Sequence, residues 1–121
     1  MPHSDALNHV VLRGRVTSAP EARELASGSL VIQFDLSVCD PDGRRVSVPV
    51  SWSDPPAARR NELQPDLDVV VVGWVRRRFY RSDGSTQSRT EVVVVEVVPT
   101  RRRRTVSSAI ERVVRGLADA A

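Results

Sequence analysis

Lysine is absent from this 121-residue chain, and all eighteen basic side chains are arginine. Cysteine occurs once, at Cys39, so no internal disulfide forms and a reducing compartment suffices. No apolar run approaches the roughly 20 residues that cross a bilayer; the stretch Val69–Val75 is broken by Gly73. The opening MPHSDALNHV has no basic stretch leading into an apolar one, so no secretory leader is expected. Donor sets for metal chemistry are missing too: His3 and His9 have no cysteine or carboxylate at ligand spacing. No glycine-rich phosphate loop precedes a helix. The pairs Asp40/Asp42 and Asp66/Asp68 sit beside proline or glycine, where turn formation explains them. These absences lead us to expect a cytoplasmic, non-enzymatic protein with no cofactor, metal, membrane contact or small-molecule substrate. Cys39 has no nearby histidine and alternates with an apolar strand face, so it reads as an inert buried thiol.

What the chain does have is valine, 22 residues of it, punctuated by proline and glycine. β-branched side chains favour the pleated sheet. Period-two alternation predicts strands over about Asn8–Thr17, Leu30–Cys39, Arg44–Trp52, Asp68–Arg81 and Arg89–Val98. Asp40–Gly43 and Ser82–Ser85 make the tight turns. Ala57–Leu63 is a weak helix between Pro56 and Pro65. Five strands with a short helical segment between the third and fourth predict an all-β, five-stranded OB-type barrel over residues 1–99. An SH3-like barrel or open sandwich takes the same strand count, but the helical segment favours the OB arrangement. Residues 100–121 then form an arginine-rich linker and an amphipathic helix over about Val106–Ala118. Val106, Ile110, Val113, Val114 and Leu117 share its stripe, and Ser108 with Glu111 has the form of a capping box. That stripe requires cover from the barrel or from a partner chain.

Charge and rings concentrate together. Residues 73–104 carry a net +6 while the remainder carries −3. Three of only five aromatics, Trp74, Phe79 and Tyr80, fall within seven residues beside Arg76, Arg77, Arg78 and Arg81. On a strand, Trp74, Arg76, Arg78 and Tyr80 share one face, while Val69, Val71, Gly73 and Val75 face the barrel interior. Guanidinium groups bind phosphate and rings stack on bases, so this face suits an unpaired polynucleotide. Arg13, Arg15, Arg44 and Arg89 are further candidate phosphate contacts. Trp52 shares a face with Val46, Val48 and Val50; it is either a core residue or a ligand-facing one, and periodicity leaves both open. The four arginines Arg101–Arg104 read equally as a solvated linker and as a phosphate-seeking arm.

Three stretches resemble the bacterial single-stranded DNA-binding proteins. Asn8–Val16 with Pro20–Arg23 is similar to that family's opening strand and following loop. Val69–Gly84 resembles its fourth strand and hairpin, and Thr90–Val97 its last strand, so the likeness covers about residues 6–98. The resemblance implies an OB fold, sequence-tolerant binding of single-stranded DNA in replication, repair or recombination, and a nucleoid-associated homo-oligomer, dimer or tetramer. RNA is the alternative ligand, and an OB-fold protein-interaction module docking through its helix is the alternative function. By position, Tyr80 and Trp52 match the family's stacking aromatics, and Arg76 and Arg78 its adjacent basic positions. The hairpin Pro41–Arg44 lacks the family's aromatic, Val46 replaces another, and Arg101–Arg104 plus a helix stand where the family has an acidic-tipped tail.

Overall fold

The valine run at the centre of the chain is buried on both faces, and this organises the molecule. The computed structural model describes residues 7–119. Its elements are β1 (Val10–Val16), β2 (Glu21–Glu24), β3 (Leu30–Cys39), β4 (Arg45–Ser53), α1 (Ala57–Glu62), β5 (Asp68–Ser82), β6 (Ser85–Pro99) and α2 (Arg103–Asp119). The strand order is β1-β5-β6-β4-β3-β2, and a further pairing of β1 with β3 closes five of the strands into a barrel. Antiparallel ladders join most neighbours, whereas β4 and β6 meet in parallel at Val50–Val92 and Ser51–Val93. This is the OB-type barrel expected, with α1 between β4 and β5.

Alternating residues fill the interior: Ile32, Phe34 and Leu36 from β3, Val50 and Trp52 from β4, and Val69 and Val71 from β5. The intervening Val70 and Val72 point outward, where Ala109, Val106 and Val113 of α2 cover them. Residues 69–72 therefore have two dry faces, unlike a strand with one solvated face.

Several expectations change in detail. A sixth strand, β2, runs along β3, and all its residues are exposed. It lacks an apolar alternation, so only backbone pairing reveals it. The last barrel strand begins at Ser85 rather than Arg89, because Asp83 (φ 51°) and Gly84 (φ 78°) form a two-residue turn with both residues left-handed. Between β5 and β6 the register slips: Val72 faces Glu96 but Gly73 faces Val94, leaving Val95 as the extra, exposed residue of a bulge. A Cβ on Gly73 would stand 2.0 Å from the Val93 carbonyl oxygen, so only glycine fits there. Past this point the hairpin outruns the barrel, and Val75, expected inside, is exposed. Cys39 is exposed as well, opposite Arg45 at the end of the β3–β4 hairpin, not buried.

The C-terminal helix starts three residues earlier than its apolar stripe. The Val106 N–H donates to the Arg102 carbonyl, so Ser108 lies within the helix and caps nothing. Nor are the four arginines a free linker. Arg101 and Arg102 both pair with Glu62 at the end of α1, and Arg103 and Arg104 form the first turn of α2. The stripe itself divides: Val106 and Val113 meet the barrel, while Ile110, Val114 and Leu117 are exposed.

Candidate nucleic-acid interface

The two-residue turn at Asp83–Gly84 sets the cross-strand pairs of the long hairpin: Arg76 opposite Glu91, Arg78 opposite Arg89, Tyr80 opposite Gln87. Residues directly opposite project to the same side. Trp74, Arg76, Arg78 and Tyr80 thus form one row, as period two requires, with Arg89 and Glu91 alongside.

Arg76, Arg78, Arg89 and Glu91 border a groove on the outer face of the barrel, whereas Trp74 lines a separate cavity of ≈ 230 Å³ beside α2, with Val72, Ala109 and Val113. One part of the groove, ≈ 170 Å³, is lined by Gln33, Asp35, Pro49, Arg89 and Glu91 among others. The next, ≈ 120 Å³, adjoins it at Gln33 and is lined by Arg23, Ser51, Arg76 and Arg78 among others. These floor residues come from the odd-numbered positions of β3 and β4, opposite in parity to the core. Sequence reasoning singled out none of Gln33, Asp35, Ser51 or Glu91. Glu91 alone had a signal, since counting back in pairs from the turn places it across from Arg76.

The electrostatics along the row are uneven. Arg76 Nη2 donates to Glu91 Oε2 at 2.5 Å, and Glu91 is only 3% exposed, so this pair is structural. The same guanidinium carbon lies 5.9 Å from the Trp74 ring centroid, a cation–π distance. The Arg76 Nε is buried with no partner in the protein. Arg89 approaches Asp35 at 3.7 Å, too far for a hydrogen bond. Arg78 faces Arg89 directly, and like charges opposite one another destabilise a ladder. Their side chains line neighbouring parts of the groove, Arg89 beside Asp35 and Arg78 beside Arg23. Tyr80, 43% exposed, stands next along the row.

Other sequence candidates lie elsewhere. Trp52 is 6% exposed inside the barrel, paired across strands with Ile32, and presents no ring face to the groove. Of its two open readings the core one holds, because its register places it with Val50 on the inner side. Phe79, 65% exposed, projects from the opposite side of the hairpin to Tyr80 and faces Ser88. Arg81 is exposed near the hairpin tip, its Nη2 within 3.4 Å of the Gly84 carbonyl. Arg44 sits on the β3–β4 turn, where its N–H donates to Asp40 Oδ1 at 2.9 Å. Arg13 and Arg15 are exposed on β1 near Asp68. Arg13 and Asp68, with Thr100, Arg101 and Arg103, line a separate cleft of ≈ 620 Å³. The arginines that looked alike by charge thus divide between a groove and scattered surface. Among the described residues no group of three or more His, Cys, Asp or Glu comes together as a metal site, and no helix is long and apolar enough to cross a membrane.

A match to the single-strand binding protein family model spans residues 7–100. The chain belongs to that family. A single-stranded DNA-binding protein of Enterococcus faecalis (strain ATCC 700802 / V583) is 33% identical over 99 residues, covering 76% of this chain and 50% of that protein. The chain thus spans about half the length of the curated relative it matches. The family segment takes in β1 to β6 and ends at Thr100, so α2 lies outside it. Within the family segment, the barrel positions both the groove and the Arg78–Arg89 pair.

The segment's end is pinned electrostatically. Asp68 accepts from Thr100 Oγ1 at 2.5 Å and from Arg13 Nε at 3.2 Å; these hold its carboxyl below the ordinary value. The Arg102 hydrogen bond does the same for Glu62, with charge support from Arg102 and Arg101. A carboxylate with a lowered folded-state pKa contributes stability that is present above its unfolded value and lost as pH falls through the folded one. Urea melts at decreasing pH should show stability falling below about pH 4. In Asp68→Asn the part of that fall due to this carboxylate should disappear.

Proposed function

We propose that this protein binds single-stranded DNA with little sequence preference, acting where DNA is unpaired in replication, repair or recombination in the bacterial nucleoid. It works by binding, not catalysis, and as a homo-oligomer. The observation that carries this reading is the row on β5 and β6: Arg78 and Arg89 at directly opposite positions, followed by the exposed ring of Tyr80, beside a groove. A phosphate seated between the two arginines relieves their repulsion, and the neighbouring base stacks on Tyr80, a contact worth roughly 1–3 kcal/mol. Arg76 acts mainly by bracing this surface, since its charge is committed to Glu91. Arg81, Arg13, Arg15 and Arg44 serve at most as outlying phosphate contacts, and Trp74 as a stacking surface next to Arg76. Family membership and the relative's name support the same ligand.

Titration of fluorescent oligo-dT, the matching duplex and the matching RNA at several salt concentrations tests the proposal. Single strands should bind more tightly than duplex. Each neutralised phosphate lowers the log–log salt slope by about 0.7, so two or three contacts from Arg23, Arg78 and Arg89 give a slope between about −1.4 and −2.1. Binding that ignores salt, or that prefers duplex, would remove the groove as the site. Tighter binding to the RNA would transfer the assignment to that ligand.

A further inference from the structure

Past Val72 the C-terminal helix and the sheet part company. The outward row of β5 runs Val70, Val72, Trp74, Arg76, Arg78, Tyr80, and α2 packs on its first two members. A straight helix cannot follow a twisting hairpin, and the bulge at Val95 bends β6 at the same level. The gap is the cavity of ≈ 230 Å³, with Val72, Val95, Ala109 and Val113 as apolar walls and two rings, Trp74 and His9, on its border. Neighbouring Asn8 holds His9 in place: Asn8 Oδ1 accepts from the Val75 N–H at 2.9 Å, and Asn8 Nδ2 donates to the Val75 carbonyl at 2.7 Å. At the polar edge Arg112 Nη2 donates to Glu96 Oε2 at 2.7 Å. Among the described residues that leaves Glu96 Oε1 and the other Arg112 N–H groups without a partner.

We infer that this cavity takes one base of the bound single strand, splayed from its neighbours and stacked on Trp74; the inference rests on the groove being a single-strand site. Continuity with the groove identifies the occupant. The Arg76 guanidinium lines the groove and lies 5.9 Å from the Trp74 ring centroid. A strand that runs from Tyr80 past Arg78 therefore reaches Trp74 after about 20 Å of β5. Size points the same way: ≈ 230 Å³ is less than the roughly 300 Å³ at which sites for drug-sized ligands begin, and it suits one flat ring system. The lining excludes two other occupants. Apolar walls penalise a phosphate, and an aliphatic side chain would leave the donors and acceptor at the edge unmet. Every base carries both donors and acceptors on its edges, so the Glu96–Arg112 pair can meet any of them without selecting a sequence. Because α2 lies beyond the family segment, the wall it supplies makes this an addition to the barrel site.

Trp52→Phe leaves Trp74 as the sole tryptophan and makes it a reporter. Saturating that variant with oligo-dT should quench Trp74 fluorescence. In a short oligo-dT carrying one abasic nucleotide, a single position of the gap should abolish the quenching and weaken binding about fivefold or more, the worth of one stack. Trp74→Leu, with Trp52 kept, should lose a similar factor on intact oligo-dT, and the gap at that position should then cost nothing further. Val113→Phe fills the cavity from the helix side and should behave as Trp74→Leu does, with circular dichroism showing an intact fold. Oligo-dT that binds through Arg78 and Tyr80 but leaves Trp74 unquenched overturns the base subsite and leaves the groove standing. So does quenching that survives every position of the gap, a gap whose cost is unchanged in Trp74→Leu, or a folded Val113→Phe that binds as wild type does. Wild type that fails to bind oligo-dT at all removes the groove and this subsite together.

Discussion

Trp52→Ala should lower folding stability by about 3–5 kcal/mol, the cost of emptying a large aromatic site in a packed core. The residue is 6% exposed among Ile32, Val50 and other interior side chains, and β4 and β3 together hold it there. Against a total stability of roughly 5–15 kcal/mol, this brings the protein close to unfolding at ambient temperature. Trp52→Phe keeps an apolar ring, leaves a smaller void and should fold. Its affinity for oligo-dT should equal that of wild type, because the ring contributes no face to the groove. Thermal melts and anisotropy titrations of the two variants check both halves. A stable Trp52→Phe protein that binds oligo-dT several-fold more weakly would show that this ring reaches the ligand.

The surface row should behave in the opposite way. Arg78→Ala with Tyr80→Ala removes a half-buried guanidinium and a half-exposed ring, and neither belongs to the core cluster. Melting should be unchanged or slightly raised, since the cross-strand repulsion between Arg78 and Arg89 disappears. Affinity for single strands should fall about tenfold to a hundredfold, from a lost stack of roughly 1–3 kcal/mol and a lost phosphate contact. The salt slope should become shallower by about 0.7. Arg76→Ala is a poorer probe of binding. It leaves the buried Glu91 carboxylate without its partner, so destabilisation would obscure any effect on the ligand. Unchanged affinity in the Arg78/Tyr80 variant would place the nucleic acid elsewhere.

Pairwise counting shows how far sequence reasoning reaches. The alternation in Leu30–Cys39 identified the inner residues of β3, and the turn at Asp83–Gly84 sets every partner as far as Gly73, where the bulge at Val95 shifts the register. The common face of Arg76, Arg78 and Tyr80 follows from period two alone. Beyond the row, the groove was not legible. Gln33 and Ser51 are ordinary polar residues on outward positions, and they become a floor only where barrel closure brings β3 and β4 beside β6. The same limit separated Phe79 from Tyr80: adjacent rings in sequence must face opposite ways on a strand, and the cluster divides. β2 was missed because an edge strand with no buried side carries no apolar signature.

The sequence by itself determined the period of each strand, the turns between them and the excess of arginine near the hairpin, because these depend on neighbours a few residues apart. Only the tertiary structure decided which arginines stand free to meet a phosphate. That choice depends on carboxylates distant along the chain: Glu91 takes Arg76, Asp68 takes Arg13, Glu62 takes Arg101 and Arg102, and Asp35 stands 3.7 Å from Arg89. It decided likewise that α2 buries half its stripe on Val70 and Val72 and leaves the other half exposed, since one helix facing a curved barrel can press only one sector against it.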